Sequence, residues 1–400
     1  MPGGKRRSVL LLALAAVLSM SLWFVSAAIL PEIVAEGALG PGRAAALSSA
    51  VQIGFVAGAL ALAVHGTADR YDPRLVLLLS ALVAAGANLA LLVTPLGGAA
   101  QIGLRALTGA GLAGVYPVGM KILVGWGARD RGALVGLFVG AITVGSALPH
   151  LLAFLGGPDW RATVIATSAL AALGGLLGAA ARLGPHHARS ARFDPGALRV
   201  AWADRRVRLA YAGYLGHMWE LYAFWAWIGA ALAVSFAPRL GGDAVPAARL
   251  VTFAAIAVGG LLCQPAGRLA DRIGKARVAE IAMQVSGSAS LATALAFGGP
   301  VWLLALLVLV WGAAVIPDSA QFSALVADAA PGEHAGSLLA LQTALGFTLT
   351  FFTVQAVPLV ADLLGWRMTL GLLALGPAGG ILAMRRLIAF AETIPRADRM

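Results

Sequence analysis

Glu220 and His217 stand three residues apart in an apolar stretch, so a helix would bring them onto one face. A carboxylate and an imidazole placed that way can exchange a proton, which suits a proton-coupling site. The same pair could equally be a structural hydrogen bond in a helix packed with Trp219, Trp225 and Trp227. Asp318 follows Pro317 and lies one turn before Gln321; the proline frees a backbone carbonyl to line a cavity, and the carboxylate reads either as a protonation site or as half of a structural pair. Arg105 sits in a different apolar run. Its planar fork can grip a carboxylate through two bonds, which makes it a candidate for an anionic substrate, for neutralising a membrane carboxylate, or for coupling. Lys121, closer to the end of that run, reads as a side chain that snorkels to the interface. A charge in hydrocarbon costs about 2.5–3.5 kcal/mol on insertion scales, so each of these groups needs a cavity or a partner.

The elements that must position them are long and greasy. Of 400 residues, 60% are hydrophobic and 12% charged, with a mean hydropathy of +0.86. A soluble domain needs a more charged exterior than that, so the chain reads as an integral membrane protein. Fifty glycines fit close approach of helices in lipid, where small residues stand in for the missing hydrophobic drive. The single cysteine, Cys263, excludes intrachain disulfides. Lys5, Arg6 and Arg7 open an apolar run that continues to Pro31, which is long for a signal-peptide core and reads as a retained first span. Runs long enough to cross a bilayer fall at 8–31, 44–66, 75–95, 98–124, 132–155 and 160–182, then, after an arginine-rich stretch at 183–206, at 207–236, 246–268, 276–297, 300–327, 335–360 and 365–388. The expected fold class is therefore all-α and integral to the membrane, with twelve transmembrane helices in two bundles, 1–182 and 207–400, joined by a basic cytoplasmic linker.

A net charge of +11 invites a nucleic-acid reading, but the placement of the bases argues against it. With the N-terminus inside, the external turns hold only Arg43, Arg161, Arg239, Arg249 and Arg367 of the 29 lysines and arginines, and the inner side keeps the excess. The positive-inside rule accounts for this, since basic loops resist translocation and favour anionic headgroups. Both termini are expected in the cytoplasm of a multi-pass protein of the plasma (inner) membrane. Its expected partners are a small-molecule substrate, protons and lipid, with no nucleic acid and no cofactor, and the chain is expected to act as a monomer.

The two bundles look like copies. Asp69-Arg70, in the run His65 to Arg74, and Asp271-Arg272, in the run Gly267 to Arg277, lie half a chain apart, each in a short charged turn between apolar segments. Val115-Tyr116-Pro117 matches Val315-Ile316-Pro317, and Trp160-Arg161 matches Trp366-Arg367, each pair in the equivalent span of its half. A carboxylate at such a turn is favoured by the positive ends of neighbouring helices, and Arg70, Arg74, Arg272 and Lys275 can pair with helix C-termini or lipid phosphate; the alternative is an ordinary set of positive-inside anchors.

Twelve spans in two related halves, with G-x-L-A-D-R-x-G-K carried by Gly267, Leu269, Asp271, Arg272, Gly274 and Lys275, resemble the major facilitator superfamily of secondary transporters. In the first copy His65 stands where that family usually has glycine, Asp72 replaces the second glycine, and Pro73 precedes the base. A second family element, R-x-x-x-G-x-G, is present as Arg105, Gly109 and Gly111; the antiporter element of the fifth span survives only as Gly140, Gly145, Ser146 and Pro149, which withholds support from drug–proton antiport. The resemblance implies two halves rocking about a central site, gating contacts at Asp69, Arg70, Asp271 and Arg272, and proton coupling through Glu220, His217 and Asp318. It also implies a cavity walled by the first, fourth, seventh and tenth spans with others at its flanks. That nominates Arg105, Trp23, Phe24, Gln52, Tyr116, His150, Trp311, Gln342 and Gln355 as substrate-facing candidates. Aromatics beside few charges suit a small amphipathic or aromatic-bearing solute, and Arg105 an organic anion.

Two rival classes have weaker support. An integral-membrane enzyme would need a reactive constellation, yet there is no H-E-x-x-H, no G-x-S-x-G and no phosphate-cradling G-x-x-x-x-G-K. A metal-ion permease would draw on His217, Met218, His150 and Cys263, which are scattered over three spans.

Overall fold

The computed structural model describes residues 3–37, 39–128, 130–187, 196–331 and 334–393. Regular structure among these residues is helical, as it must be where lipid offers the backbone no partner and only a helix satisfies every N–H and C=O within one segment. Among the described residues eight helical segments are long and apolar enough to cross a membrane, and two of them, Arg205–Ile273 and Ala335–Glu392, each hold two crossings. The interrupted segment from Gly3 to Gly37 and the more polar helix Lys275–Ala296 complete the twelve spans.

In the first half, the first span comprises Gly3–Met20, Val25–Ala28 and Leu30–Gly37, followed by Pro41–His65, Pro73–Leu89, Ala99–Val124, Arg131–Leu155 and Trp160–Ala179. In the second half the spans are Arg205–Leu240, Ala244–Ile273, Lys275–Ala296, a tenth span divided into Val301–Val315 and Ser319–Ala329, and the long helix Ala335–Leu373 followed by Leu375–Thr393. Gly365, at φ 78° and ψ 161°, separates the eleventh crossing from the twelfth. The linker stretch 183–206 lies partly outside the described residues; within it Ala197–Ala203 forms a short helix, and Asp204 caps the seventh span by accepting from the backbone nitrogens of Arg206 (2.7 Å) and Val207 (3.3 Å). Twelve crossings put Gly3 and Thr393 on one side, here termed the terminal face.

Two spans that read as continuous apolar runs are broken. Pro317 lacks an N–H and cannot follow Val315 in regular helix, so the tenth span stops and restarts across Ile316–Asp318. The first span stops after Met20 because the carbonyls of Leu22 and Trp23 turn away from the helix axis to meet a side chain of the fourth span.

The two charged turns follow different paths. In the first, the helix Pro41–His65 ends on Gly66 in the left-handed conformation (φ 61°, ψ 32°), a single short turn Thr67–Arg70 follows, and Asp72 caps the next span by accepting from Arg74 N at 2.9 Å. In the second, the helix runs unbroken through Gly267 to Ile273, and Gly274 alone makes the reversal at φ 95° and ψ 143°.

Small residues set the spacing between spans. A Cβ on Gly109 would lie 2.0 Å from the Val51 carbonyl oxygen, and one on Gly111 would lie 2.8 Å from that of Ser80, so the glycines after Arg105 are what allow the fourth span to lie against the second and third. Between the halves, the fifth and eighth spans meet at Gly140 and Gly260: a Cβ on Gly140 would lie 2.5 Å from the Gly260 oxygen, and one on Gly260 2.8 Å from the Gly140 oxygen.

Candidate functional site at the seam between the halves

Aromatic side chains fill the middle of the seam. Trp23, Phe55 and Tyr116 from the first half meet Tyr222 and Phe347 from the second, with ring centroids 4.6 Å apart for Phe55–Phe347, 5.0 Å for Trp23–Phe55 and 5.7 Å for Trp23–Tyr222. Phe24 and Trp225 extend the group edge to face at 5.7 Å. Tilted and edge-on contacts of this kind are favourable for rings beyond the area they bury.

On the terminal side of these rings the seam opens into two cavities. One, of about 530 Å³, lies between the second, fourth and eleventh spans; Phe55, Tyr116 and Phe347 form its floor and Lys121 is the one charged side chain among the described residues that line it. The other, of about 400 Å³, lies between the fifth, eighth and tenth spans and is lined by Gln264, Arg268, Asp271, Lys275 and Gln321 among others. Asp271 also borders a broader groove of about 1100 Å³ on the terminal face of the second half, together with Arg206, Lys275 and Asp328.

On the opposite side the seam is shut. Arg249 of the eighth span donates to the Ala28 carbonyl from Nε (3.1 Å) and Nη2 (2.9 Å), to the Ala153 carbonyl from Nη1 (3.2 Å), and to the Glu32 carboxylate from Nη2 (2.6 Å). All of these acceptors belong to the first half. Ser49 Oγ donates to Gln355 Oε1 at 2.8 Å, a second bond between the halves on that side. The expectation that Arg249 is an external-turn base gives way here: it lies within the helix Ala244–Ile273 and is buried, because the first and fifth spans supply acceptors for every face of its guanidinium.

Around the two broken spans the buried charges sort by half. Arg105 is fully buried and donates to Asn88 Oδ1 (3.0 Å) and to the carbonyls of Leu22 (3.0 Å) and Trp23 (2.8 Å). These carbonyls close the helix Gly3–Met20, whose C-terminal dipole favours a cation. Glu220 is equally buried and accepts from Ser286 Oγ and from Trp311 Nε1, both at 2.8 Å. His217 does not face Glu220. Its Nδ1 lies 2.9 Å from Asp318 Oδ1, across to the broken tenth span, where Asp318 stands at the N-terminus of Ser319–Ala329. The two titratable residues on the seventh span thus address different neighbours. Trp311 holds Glu220 inside the second half, away from the seam.

The remaining candidates are dispersed. Trp23 is part of the aromatic group, and its Nε1 has no hydrogen-bond partner; Nε2 of His150 and Nε2 of Gln342 are likewise buried without one. Gln52, with its amide oriented to satisfy both ends, donates to the Ser48 and Ser49 carbonyls of its own helix. Arg70, Asp271 and Arg272 are exposed on the terminal face, and Asp69 pairs with Lys121. Lys121, in the last turn of its helix, reaches the first charged turn to make that pair. His150, His217 and Cys263 do not converge, and no group of three potential metal ligands occurs among the described residues.

Charge at the terminal face is ordered by local pairs. Hydrogen bonds from Arg74 hold the Asp72 carboxyl below its ordinary range, and Lys5 does the same for Asp130. Burial, and then the nearby Lys121 ammonium, push the His187 imidazole down. Sequence reasoning passed over Asn88, Glu32, Ser286 and Glu280; the last is a buried carboxylate held by Arg277 and Arg385, both at 2.8 Å. For Glu32 and Glu280 the signal was available, an acid inside or at the edge of an apolar run.

A twelve-helix bundle in two halves, with cavities at the seam and buried charge along its inner walls, is the architecture of a membrane carrier. The chain belongs to the Major Facilitator Superfamily, whose family description matches residues 12–346, and it is a multi-pass secondary transporter. Solved structures of similar fold include a D-xylose–proton symporter (TM-score 0.77, 16% identity, 100% of each chain) and the nucleoside transporter NupG (0.73, 15%, 95% of this chain and 99% of that one). A partially occluded, inward-open form of the xylose transporter XylE from E. coli is similar as well (0.73, 15%, 98% of each). At these identities the likeness is one of fold. No curated protein matches the chain.

Proposed function

We propose that this protein moves a small organic solute, an organic anion or an amphipathic or aromatic-bearing compound, across the plasma (inner) membrane by alternating access. Proton binding at Glu220, Asp318 and His217 sets the order of steps. The observation that carries the coupling is the gathering of these three titratable side chains, all buried, in one half and against one broken span. An intramembrane acid held only by neutral donors, as Glu220 is, can be either charged or neutral without stranding a partner charge. Support for the solute class comes from the ring-lined floor of the 530 Å³ cavity, which suits a flat or ring-bearing body. Structures of similar fold include carriers named for a pentose and for nucleosides, both ring compounds.

The charge distribution supports a cytoplasmic terminal face carrying both termini. On that orientation the cavities open inward and Arg249 with Glu32 closes the outside. The functional units are then residues 1–182 and 207–400, working as a monomer, with Asp69, Arg70, Asp271 and Arg272 at the inner gate and the exposed bases among lipid headgroups. Membership of a family of carriers supports a non-enzymatic role.

The test begins with ligand-induced thermal shifts of the purified protein across organic acids, sugars, nucleosides and aromatic compounds, which select the solute. Its movement is then followed in vesicles with an imposed proton gradient. Glu220→Gln is expected to abolish gradient-driven movement while sparing solute exchange. Gradient-driven movement at the parent rate in that variant rejects Glu220 as the coupling acid, and movement indifferent to the gradient in the parent rejects proton coupling.

A further inference from the structure

Of the two intramembrane cations on the fourth span, Arg105 is committed to Asn88 and to two backbone carbonyls, whereas Lys121 lines the open cavity. We propose that Lys121 receives the anionic group of the solute while the solute's aromatic or apolar body lies against Phe55, Tyr116 and Phe347. The inference rests on the aromatic-solute reading above and adds to it the source of charge selection.

Three observations support it. First, among the described residues lining that cavity Lys121 is the only charged one, and its walls are otherwise built from side chains such as Ala59, Met120, Leu339 and Ala344. An anion entering there meets one cationic donor in surroundings where its attraction is less screened than in water. Second, Lys121 is five residues beyond Tyr116 on one helix, or roughly 7 Å along the axis. That separation matches a fused-ring body bearing a carboxylate at one end. Third, the ammonium has three donors and gives one to Asp69, whose carboxylate is not part of the cavity wall. A solute carboxylate can therefore share the ammonium with Asp69 or take it over. Either event loosens Asp69, the acid of the first charged turn, so arrival of the solute is felt at the inner gate.

The test compares naphthoate with its uncharged isostere naphthamide, by calorimetry on the full-length protein in lipid nanodiscs. The parent is expected to bind the acid about tenfold more tightly than the amide, the worth of one charge-assisted hydrogen bond at the low end of its range. Lys121→Gln should bring the two probes level, Lys121→Arg should keep the preference, and Asp69→Asn should widen it by removing the competing carboxylate. A preference that survives Lys121→Gln overturns the inference, as does a parent that binds acid and amide alike; both results leave the aromatic-solute reading standing. A parent that binds neither probe overturns that reading together with the inference.

Discussion

The two charged turns occupy equivalent places in the two halves and reverse the chain by different means. The first stops its helix on Gly66 and restarts it with a side-chain cap from Asp72; the second keeps its helix to Ile273 and turns on Gly274 alone, in backbone territory open to glycine. Their acids differ too, since Asp69 is tied to Lys121 within its own half while Asp271 borders the cleft between halves. The broken spans repeat the lesson. The break in the first span is held by a cation from the fourth, and the break in the tenth is met by an imidazole from the seventh. A duplicated unit has kept its path through the membrane and changed the chemistry that holds the path, leaving one half with a structural cation and the other with titratable groups.

The contrast can be broken at its strongest point first. Arg105→Leu leaves the carbonyls of Leu22 and Trp23 without donors, and each buried acceptor so stranded costs about 1–3 kcal/mol. Thermal unfolding in detergent should show this variant far less stable than Glu220→Gln, which keeps an oxygen to accept from Trp311; equal melting temperatures would erase the distinction between a cation that holds the fold and an acid that does not. Exchanging the turn residues sharpens the comparison at intermediate scale. Gly274→Asp imports the first turn's residue into a conformation it does not tolerate and should destabilise by about 1–3 kcal/mol, whereas an unaltered melting curve would mean that the second turn can adopt the first turn's geometry. The smallest effect is at the cap itself. Asp72→Ala should cost about 1 kcal/mol at neutral pH. Because Arg74 holds this carboxyl below its ordinary value of 3.8, the contribution is complete above that pH and is lost as the pH falls through the lowered value; a loss unchanged down to strongly acid pH would contradict the cap.

Much of this was legible in the chain. Run length and the half-chain repeat gave the twelve crossings, because hydrocarbon thickness leaves little freedom in helix length. Pro317 stood out as a proline that frees a carbonyl, though the run around it read as continuous, and His65 and Asp72 stood out as departures from the family pattern without showing how the first turn is built. What stayed hidden was partnership across helices. Spacing shows that His217 and Glu220 share a helix face, but which neighbour meets each side chain depends on how the helices cross, and here the two diverge to Asp318 and Trp311. Arg105 signalled burial without revealing that its acceptors would be carbonyls of a helix it also interrupts. Arg249 was misplaced for a related reason: five residues from the start of its helix, it looks like an interfacial base until the first half is packed against it.

The contact between Gly140 and Gly260 has a mechanical corollary. Where two rods come this close, the backbones themselves set the spacing, and the side chains of Thr143 and Val144 pack beside Gly260. A rotation of the halves about this point would leave the two glycines least displaced and would have to part the bonds of Arg249 to Ala28, Ala153 and Glu32.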